Sequence, residues 1–344
     1  MKRLVTGLMA TIAGAAIAGT ALAGLGVLSA QAEELRLGDF QSTTHIVSME
    51  GTQKWMKQVE EMTGGKITFS HFPAQQAAKS KELLSATTNG IVDAALIGPI
   101  YNAEVLPLNS VVGLPGFYTT AQQGTAALQK MMQEGPLRDE MLNAGVVPIF
   151  AFVLPPYQIL SKDKHLGGPD DWKGLNIRTS GATQAMVARD LGAAGVSIAG
   201  PEVYTAVERG RLDGVLFPLA SVPGYNLQEV VKHISTNGAF GGYSFILVVR
   251  RDLFEGLPQE TQDAMLKAGA EVAMHVAKAQ DDSVAVLTQK WAEDGIDVYQ
   301  FTDEEHAAIN KAISTVREEW LDRIGGRNPK AADVVAQYSE LTKE

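Results

Sequence analysis

The segment "GLNIRTSG" at 174–181 holds the clearest piece of chemistry in the chain. A short apolar stretch stops at Arg178 and runs into Thr179, Ser180 and Gly181. A guanidinium presents its N–H donors as a planar fork that meets a carboxylate in two parallel hydrogen bonds, and small residues beside it leave room for one. Arg178 reads either as a surface cation or as a cation aimed into a cavity to hold an anion. Spacing alone favours the surface cation. Beyond residue 32 there is no HExxH, CxxC, P-loop, GxGxxG or GxSxG pattern. The six His residues are scattered, none spaced as a metal pair on a helix. Asp and Glu are plentiful, but nothing singles out a catalytic pair. These residues point to binding rather than turnover.

The elements that must position such a site come next. A chain of 344 residues exceeds one comfortable hydrophobic core, so two lobes are expected. Lys2 and Arg3 precede an uncharged Ala-, Gly- and Leu-rich stretch at 4–28, and "SAQA" places small residues at Ala30 and Ala32. That is the pattern of an export signal over 1–32, with cleavage expected after Ala32. No later apolar run approaches the ~20 residues of a membrane span. With no Cys, neither a disulfide nor a lipidated cysteine is available. Losing Lys2 and Arg3 takes the 29 basic residues to 27 against 39 acidic ones, a formal charge of −12. With no basic cluster, nucleic acid is not an expected partner.

Along the chain, "ELRLGDF" (34–40) and "KITFSHF" (66–72) read as strands around a helix with Trp55, Val59 and Met62 on one face. A helix near 79–88 leads into the strand "IVDAALIG" (91–98), and this alternation predicts an α/β protein with a parallel sheet. The plan recurs: "NGIVDAALIG" (89–98) and "RGRLDGVLFP" (209–218) each place an Asp between a helix-ending Gly and a strand. "YSFILVVRR" (243–251) reads as a central strand. From Pro258 to Asp294 the composition predicts one very long helix, slightly broken near Gly269. Thr302 and Glu305 form a capping box for a helix ending at Gly325-Gly326, and a last amphipathic segment follows Pro329.

The ordered set "DWKGLNIR", "DLGAAGVSIAG", "PEVYTAVERGRLDG" and "FP" over 171–218 resembles the solute-binding subunit of tripartite ATP-independent periplasmic (TRAP) transporters, the DctP-type family. "EEMTGGKITFSHFPAQQAAKSKELLSATTNGIVDAAL", "VVGLPGFY" and "FILVVRRDLFEGLPQETQDAM" extend the resemblance over the rest of the chain. It implies a two-lobe flytrap with hinge strands and the long helix spanning both lobes. The lobes would comprise 33–155 with 244–283, and 156–243 with 284–344. It also reverses the reading of Arg178, which stands at the family's carboxylate-binding arginine.

Two departures bear on the ligand. Where relatives carry a second arginine, "PPYQIL" has Gln158; where they carry Asn before the Pro, "LFP" has Phe217. A ring without a second cation suits a monocarboxylate with an apolar or aromatic body; a C4-dicarboxylate is the alternative. Gly200 stands where relatives have a bulky ring and is expected to open space. Further expected ligand contacts are Phe40 and His45 beside Gln41 after the first strand, Tyr101, Tyr157 and Tyr243. Trp172 is expected to pack within a lobe. The resemblance implies a periplasmic protein, not an enzyme, with no cofactor or metal, that delivers an organic acid to small and large integral membrane subunits. A receptor-linked sensor and an exported hydrolase are the other readings, and the oligomeric state stays open.

Overall fold

The computed structural model describes residues 32–343; the expected export segment lies outside them apart from Ala32. From Ala32 onward the chain is one compact unit built on two sheets. The strands are β1 Glu33–Asp39, β2 Ile67–Phe72, β3 Ala94–Ile97, β4 Val146–Val153, β5 Gln158–Ser161, β6 Asn176–Thr179, β7 Ala194–Ser197, β8 Gly214–Phe217, β9 His233–Ser235, β10 Ser244–Arg250 and β11 Asp297–Tyr299. The first sheet has the order β2-β1-β3-β10-β4 and the second β11-β9-β5-β8-β6-β7.

Neither sheet is purely parallel, contrary to the expectation from strand–helix alternation. β1 runs parallel to β2 and β3, whereas β10 pairs antiparallel with both β3 and β4. In the second sheet β6 runs parallel to β7 and β8, and β5 antiparallel to β8 and β9. The antiparallel strands arise where the chain crosses between sheets. It crosses at 154–157 and returns at 236–243, and the two passages are hydrogen-bonded to each other: Leu154 N to Tyr243 O at 2.9 Å, Tyr157 N to Gly241 O at 2.9 Å and Phe240 N to Tyr157 O at 3.2 Å.

The long helix is Gln259–Glu293, 35 residues, about 50 Å at ~1.5 Å per residue. It packs on β4 at one end and near β11 at the other, where Trp291 joins the second core. It is continuous through Gly269. A Cβ there would sit 2.9 Å from Ile149 O and 3.1 Å from Phe150 Cβ, so the glycine permits close approach to β4 rather than a break. The helix with Trp55 is Gln53–Met62; Trp55 and Val59 are buried, and the Trp55 indole donates to Met265 O at 3.1 Å. Met62, expected on that face, is instead exposed.

The Thr302–Glu305 capping box forms, with Thr302 N donating to Glu305 Oε2 at 2.8 Å and Glu305 N to Thr302 Oγ1 at 3.2 Å. The single helix expected to follow is two, Asp303–Ala312 and Val316–Gly325. The last helix, Ala331–Leu341, departs from the expected division near 284. It packs on the first-lobe helix Ala121–Gln133, with Tyr338 against Phe117 and Tyr118. Four buried apolar or aromatic side chains (Ala331, Val334, Val335 and Tyr338) carry that docking. A polypeptide tail follows the apolar surface it can cover, and sequence order does not reveal which lobe offers it.

Candidate functional site

The C-terminal ends of the parallel strands of both sheets converge on one small pocket, about 260 Å³ of empty space. Such strand ends are where α/β sheets gather ligand-facing residues, because the loops leaving them are free of the ladder. From the first sheet come Phe40 and Gln41 beyond β1, Tyr101 beyond β3, Leu154 beyond β4, and Tyr243 and Phe245 at the start of β10. From the second come Tyr157 before β5, Arg178 on β6, Gly200 beyond β7, and Phe217, Pro218, Ser221 and Tyr225 at and beyond β8.

Arg178 is 1 % exposed and faces the aromatic wall. Its Nε donates to Ile198 O at 2.8 Å and its Nη1 to Leu216 O at 3.0 Å, which fixes the plane of the fork. The guanidinium carbon lies 5.0 Å from the Phe217 ring centroid, a cation–π contact. Among the described residues no carboxylate lies within 4.0 Å of it. A buried cation held by two neutral carbonyls is costly unless an anion shares its site.

The tyrosines around Arg178 stay neutral. Burial pushes the Tyr157 hydroxyl up to about 12, against the pull of the nearby Arg178 charge. Burial likewise holds the Tyr225 and Tyr243 hydroxyls well above the ordinary tyrosine value. Two buried hydroxyls on the pocket wall, Ser221 Oγ and Tyr243 Oη, have no hydrogen-bond partner among the described residues.

The lobes meet directly across the pocket. Gly200 N donates to Tyr101 Oη at 3.1 Å, and Tyr225 Oη to Gln41 Oε1 at 2.6 Å. The Gln41 loop is itself held by Asp39, which accepts from Gln41 N at 2.8 Å and Thr52 Oγ1 at 2.9 Å. Gly200 does not open space as expected: a Cβ there would lie 2.8 Å from Tyr225 Oη, so the Tyr225 ring already occupies that volume.

Six of the eight anticipated residues, Phe40, Tyr101, Tyr157, Arg178, Phe217 and Tyr243, thus share one wall; two do not. Gln158 is turned into the hinge loop, where its amide donates to Gly238 O and accepts from Gly238 N, both at 2.7 Å, and from Ser235 Oγ at 3.0 Å. A neutral amide surrounded by backbone groups satisfies itself there, whereas an arginine would have to reach for an anion. His45 lies outside the lining and seals the lobe contact, its ring edge-on to Tyr225 at 5.1 Å. Its Nδ1 accepts from Val47 N at 3.1 Å, so the proton sits on Nε2, which is buried without a partner. Burial lowers its pKa to about 3 and keeps the ring neutral. Trp172 packs within its lobe on Phe240, 5.3 Å between centroids. Ser221, Tyr225, Leu154 and Phe245 escaped the sequence reading. The same rule that selected Phe40, the first residues beyond a strand end, would have reached Ser221 past β8.

Two sheets joined by paired crossing segments, with a buried cation in the seam, define a two-lobed periplasmic binding protein. Residues 38–323 match the family model described as DctP, bacterial extracellular solute-binding protein, family 7, and the chain belongs to that family. A curated relative, the C4-dicarboxylate-binding periplasmic protein DctP of Rhodobacter capsulatus, is 28% identical over 317 residues, 88% of this chain and 90% of the relative. Among solved structures, a TRAP solute-binding protein from Rhodoferax ferrireducens T118 in complex with copurified benzoate aligns with a TM-score of 0.84 at 23% identity. The alignment covers 90% of this chain and 98% of that one. A TRAP periplasmic solute-binding protein from Bordetella bronchiseptica with bound (R)- and (S)-mandelate aligns with a TM-score of 0.82 at 23% identity, over 90% and 99% of the two chains. At these identities the structures establish the shared fold. No helix among the described residues is long and apolar enough to cross a membrane.

Proposed function

We propose that this protein captures a monocarboxylate with an aromatic or apolar body between its lobes and hands it to the two membrane subunits of a TRAP permease. The observation that carries the reading is Arg178: a buried guanidinium without a carboxylate partner, oriented by two backbone carbonyls and walled by rings. In the bound state the remaining face of the fork takes the ligand carboxylate. Phe217, Phe40 and Phe245 cover the apolar body, and the Ser221 and Tyr243 hydroxyls, without partners among the described residues, give the ligand their hydrogen bonds. Among the described residues no second cation lines the pocket, so the far carboxylate of a C4-dicarboxylate would be buried uncompensated, at a cost of several kcal/mol. The benzoate and mandelate complexes of the structural neighbours support the same chemical class. Ligand contact with both lobes favours the closed form, the shape a membrane partner can recognise. Isothermal titration with benzoate, mandelate and 3-hydroxybenzoate against succinate and malate tests this. Tight binding of an aromatic acid with no binding of the dicarboxylates is expected; tight succinate or malate binding overturns it.

A further inference from the structure

The second sheet carries a cluster unrelated to the cleft. His233 opens β9, Asp297 opens β11, and these two residues are register partners in a parallel ladder. His165 comes from the loop after β5. Asp297 Oδ2 receives both imidazoles through Nδ1, at 2.8 Å from His233 and 3.0 Å from His165. One donor atom from each of the three residues lies within 4.8 Å of the others. The His165 ring rests on Tyr299, 3.9 Å between centroids, and Tyr299 Oη donates to Leu166 O at 2.9 Å, so the loop is held in place. Three ligands from separate elements, 64 and 132 residues apart, are invisible to any spacing rule.

We propose that His165, His233 and Asp297 form a binding site for a borderline divalent cation of the zinc class. Imidazole nitrogen and carboxylate oxygen are the donors such ions take, at about 2.0–2.2 Å. Around a tetrahedral ion those lengths set neighbouring donors about 3.4 Å apart. The two imidazole–carboxylate separations, 2.8 and 3.0 Å, fall just short of that value, so small ring rotations outward admit the ion. As a hydrogen-bonded trio this exposed group adds little to stability, since surface pairs of this kind are worth about 0–1 kcal/mol. As a metal site its convergence has a consequence: β11, a three-residue edge strand, becomes cross-linked to β9 and to the 162–168 loop. The side chains of His165 and Asp297 are each 46 % exposed, which gives the ion an approach and leaves a fourth position to water.

The test is titration of the chelator-treated protein with ZnCl₂, by calorimetry and by metal analysis after dialysis, alongside His165→Ala, His233→Ala and Asp297→Asn. The expected result is one equivalent of Zn²⁺ per chain, a zinc-dependent rise in Tm, and affinity reduced at least about tenfold in each variant. Benzoate titration of the same variants should match the wild type. If benzoate binds neither, the cleft reading fails while the zinc result stands by itself. Absence of saturable zinc binding at micromolar concentration overturns the proposal. So does zinc binding of equal affinity in His165→Ala and His233→Ala, which would move the site to the His275–Glu50 pair or to His306. Should Asp297→Asn lose its far-UV spectrum, His165→Ala decides alone, because that half-exposed side chain can be removed without opening a core.

Discussion

The two lobes repeat one local plan and put an arginine to different use in each. In the first, β1 lies beside β3 with Leu37 opposite Ala94 and Gly38 opposite Ala95. In the second, β6 lies beside β8 with Ile177 opposite Gly214 and Arg178 opposite Val215. Each plan is locked by an aspartate. Arg36 N donates to Asp93 Oδ2 at 2.9 Å, and Asn176 N to Asp213 Oδ2 at 2.7 Å. Arg36 therefore corresponds to Asn176, and Gly38 to Arg178. The first lobe's arginine sits midway along β1, beside the start of β3 and half exposed, with Nε and Nη2 on the two oxygens of Asp93 at 2.9 Å each. The second lobe's arginine sits two residues on, about 6–7 Å nearer the strand's C-terminal end, buried and without an acid. A cation paired beside the start of β3 closes a fold; an unpaired one near the end of β6 waits for an anion.

The largest effect expected is on Arg178. Replacing it with Ala removes two charge-assisted bonds worth about 1.5–3 kcal/mol each, so affinity for the cleft ligand should fall at least about 100-fold by calorimetry. The urea midpoint should move far less, because the variant no longer holds an unpaired cation out of water and the cleft lets solvent reach the freed carbonyls. An equal loss of stability and affinity would erase the contrast between the two arginines.

The first lobe contributes a seal rather than a charge, and pH probes it. His45 is buried in part by Gly224 and Tyr225 of the other lobe, so opening exposes it. Its folded pKa of about 3 lies below the ordinary ~6.5. Below pH ~6.5 the open form takes up a proton that the closed form refuses, and closure weakens by about 1 kcal/mol between pH 6.5 and 5.5, roughly fivefold in affinity, approaching tenfold per unit at lower pH. Affinity should therefore drop between pH 6.5 and 5.5 in the wild type and stay level in His45→Gln. A flat wild-type profile would mean that His45 remains buried in the open form. Smaller again is Tyr225→Phe, which deletes the 2.6 Å bond to Gln41 across the mouth. One neutral hydrogen bond of about 0.5–1.5 kcal/mol predicts a two- to twelvefold loss of affinity.

Local pattern made the strands, the long helix and the capping box legible, because period, caps and punctuation are written in neighbouring residues. What was not legible depended on partners distant in sequence. Gly269 looks like a break until β4 is seen against it, and Met62 keeps helical spacing though no surface covers it. The Ala331–Leu341 helix is amphipathic by pattern, but only the fold reveals that it docks on the first lobe. The pocket divides in the same way. Phe40 and Tyr101 follow from standing just past strand ends and Phe217 from the family motif it departs from, whereas Tyr225 arrives from a turn and Gln158 is diverted by the hinge loop. Asp93 and Asp213 were legible as a repeat, and their shared role in fastening a strand entrance explains it.

That role yields the smallest expected effect and the other half of the comparison. Arg36→Ala should leave ligand affinity unchanged and lower unfolding stability by about 1 kcal/mol, the scale of a bidentate pair half open to solvent. Burial alone would raise the Asp93 pKa, but the Arg36 hydrogen bonds, with the Arg36 and Arg250 charges, outweigh it and hold the carboxyl below its usual range. A carboxyl depressed in the folded state stabilises above its unfolded pKa near 3.9, and that stability fades as pH falls through the lower folded value. Urea unfolding from pH 7 to pH 3 should therefore show an acid-side loss in the wild type that is shallower in Arg36→Ala. If Arg36→Ala instead weakened ligand binding, the paired arginine would be acting on the cleft, and pairing with an acid would no longer separate the two roles.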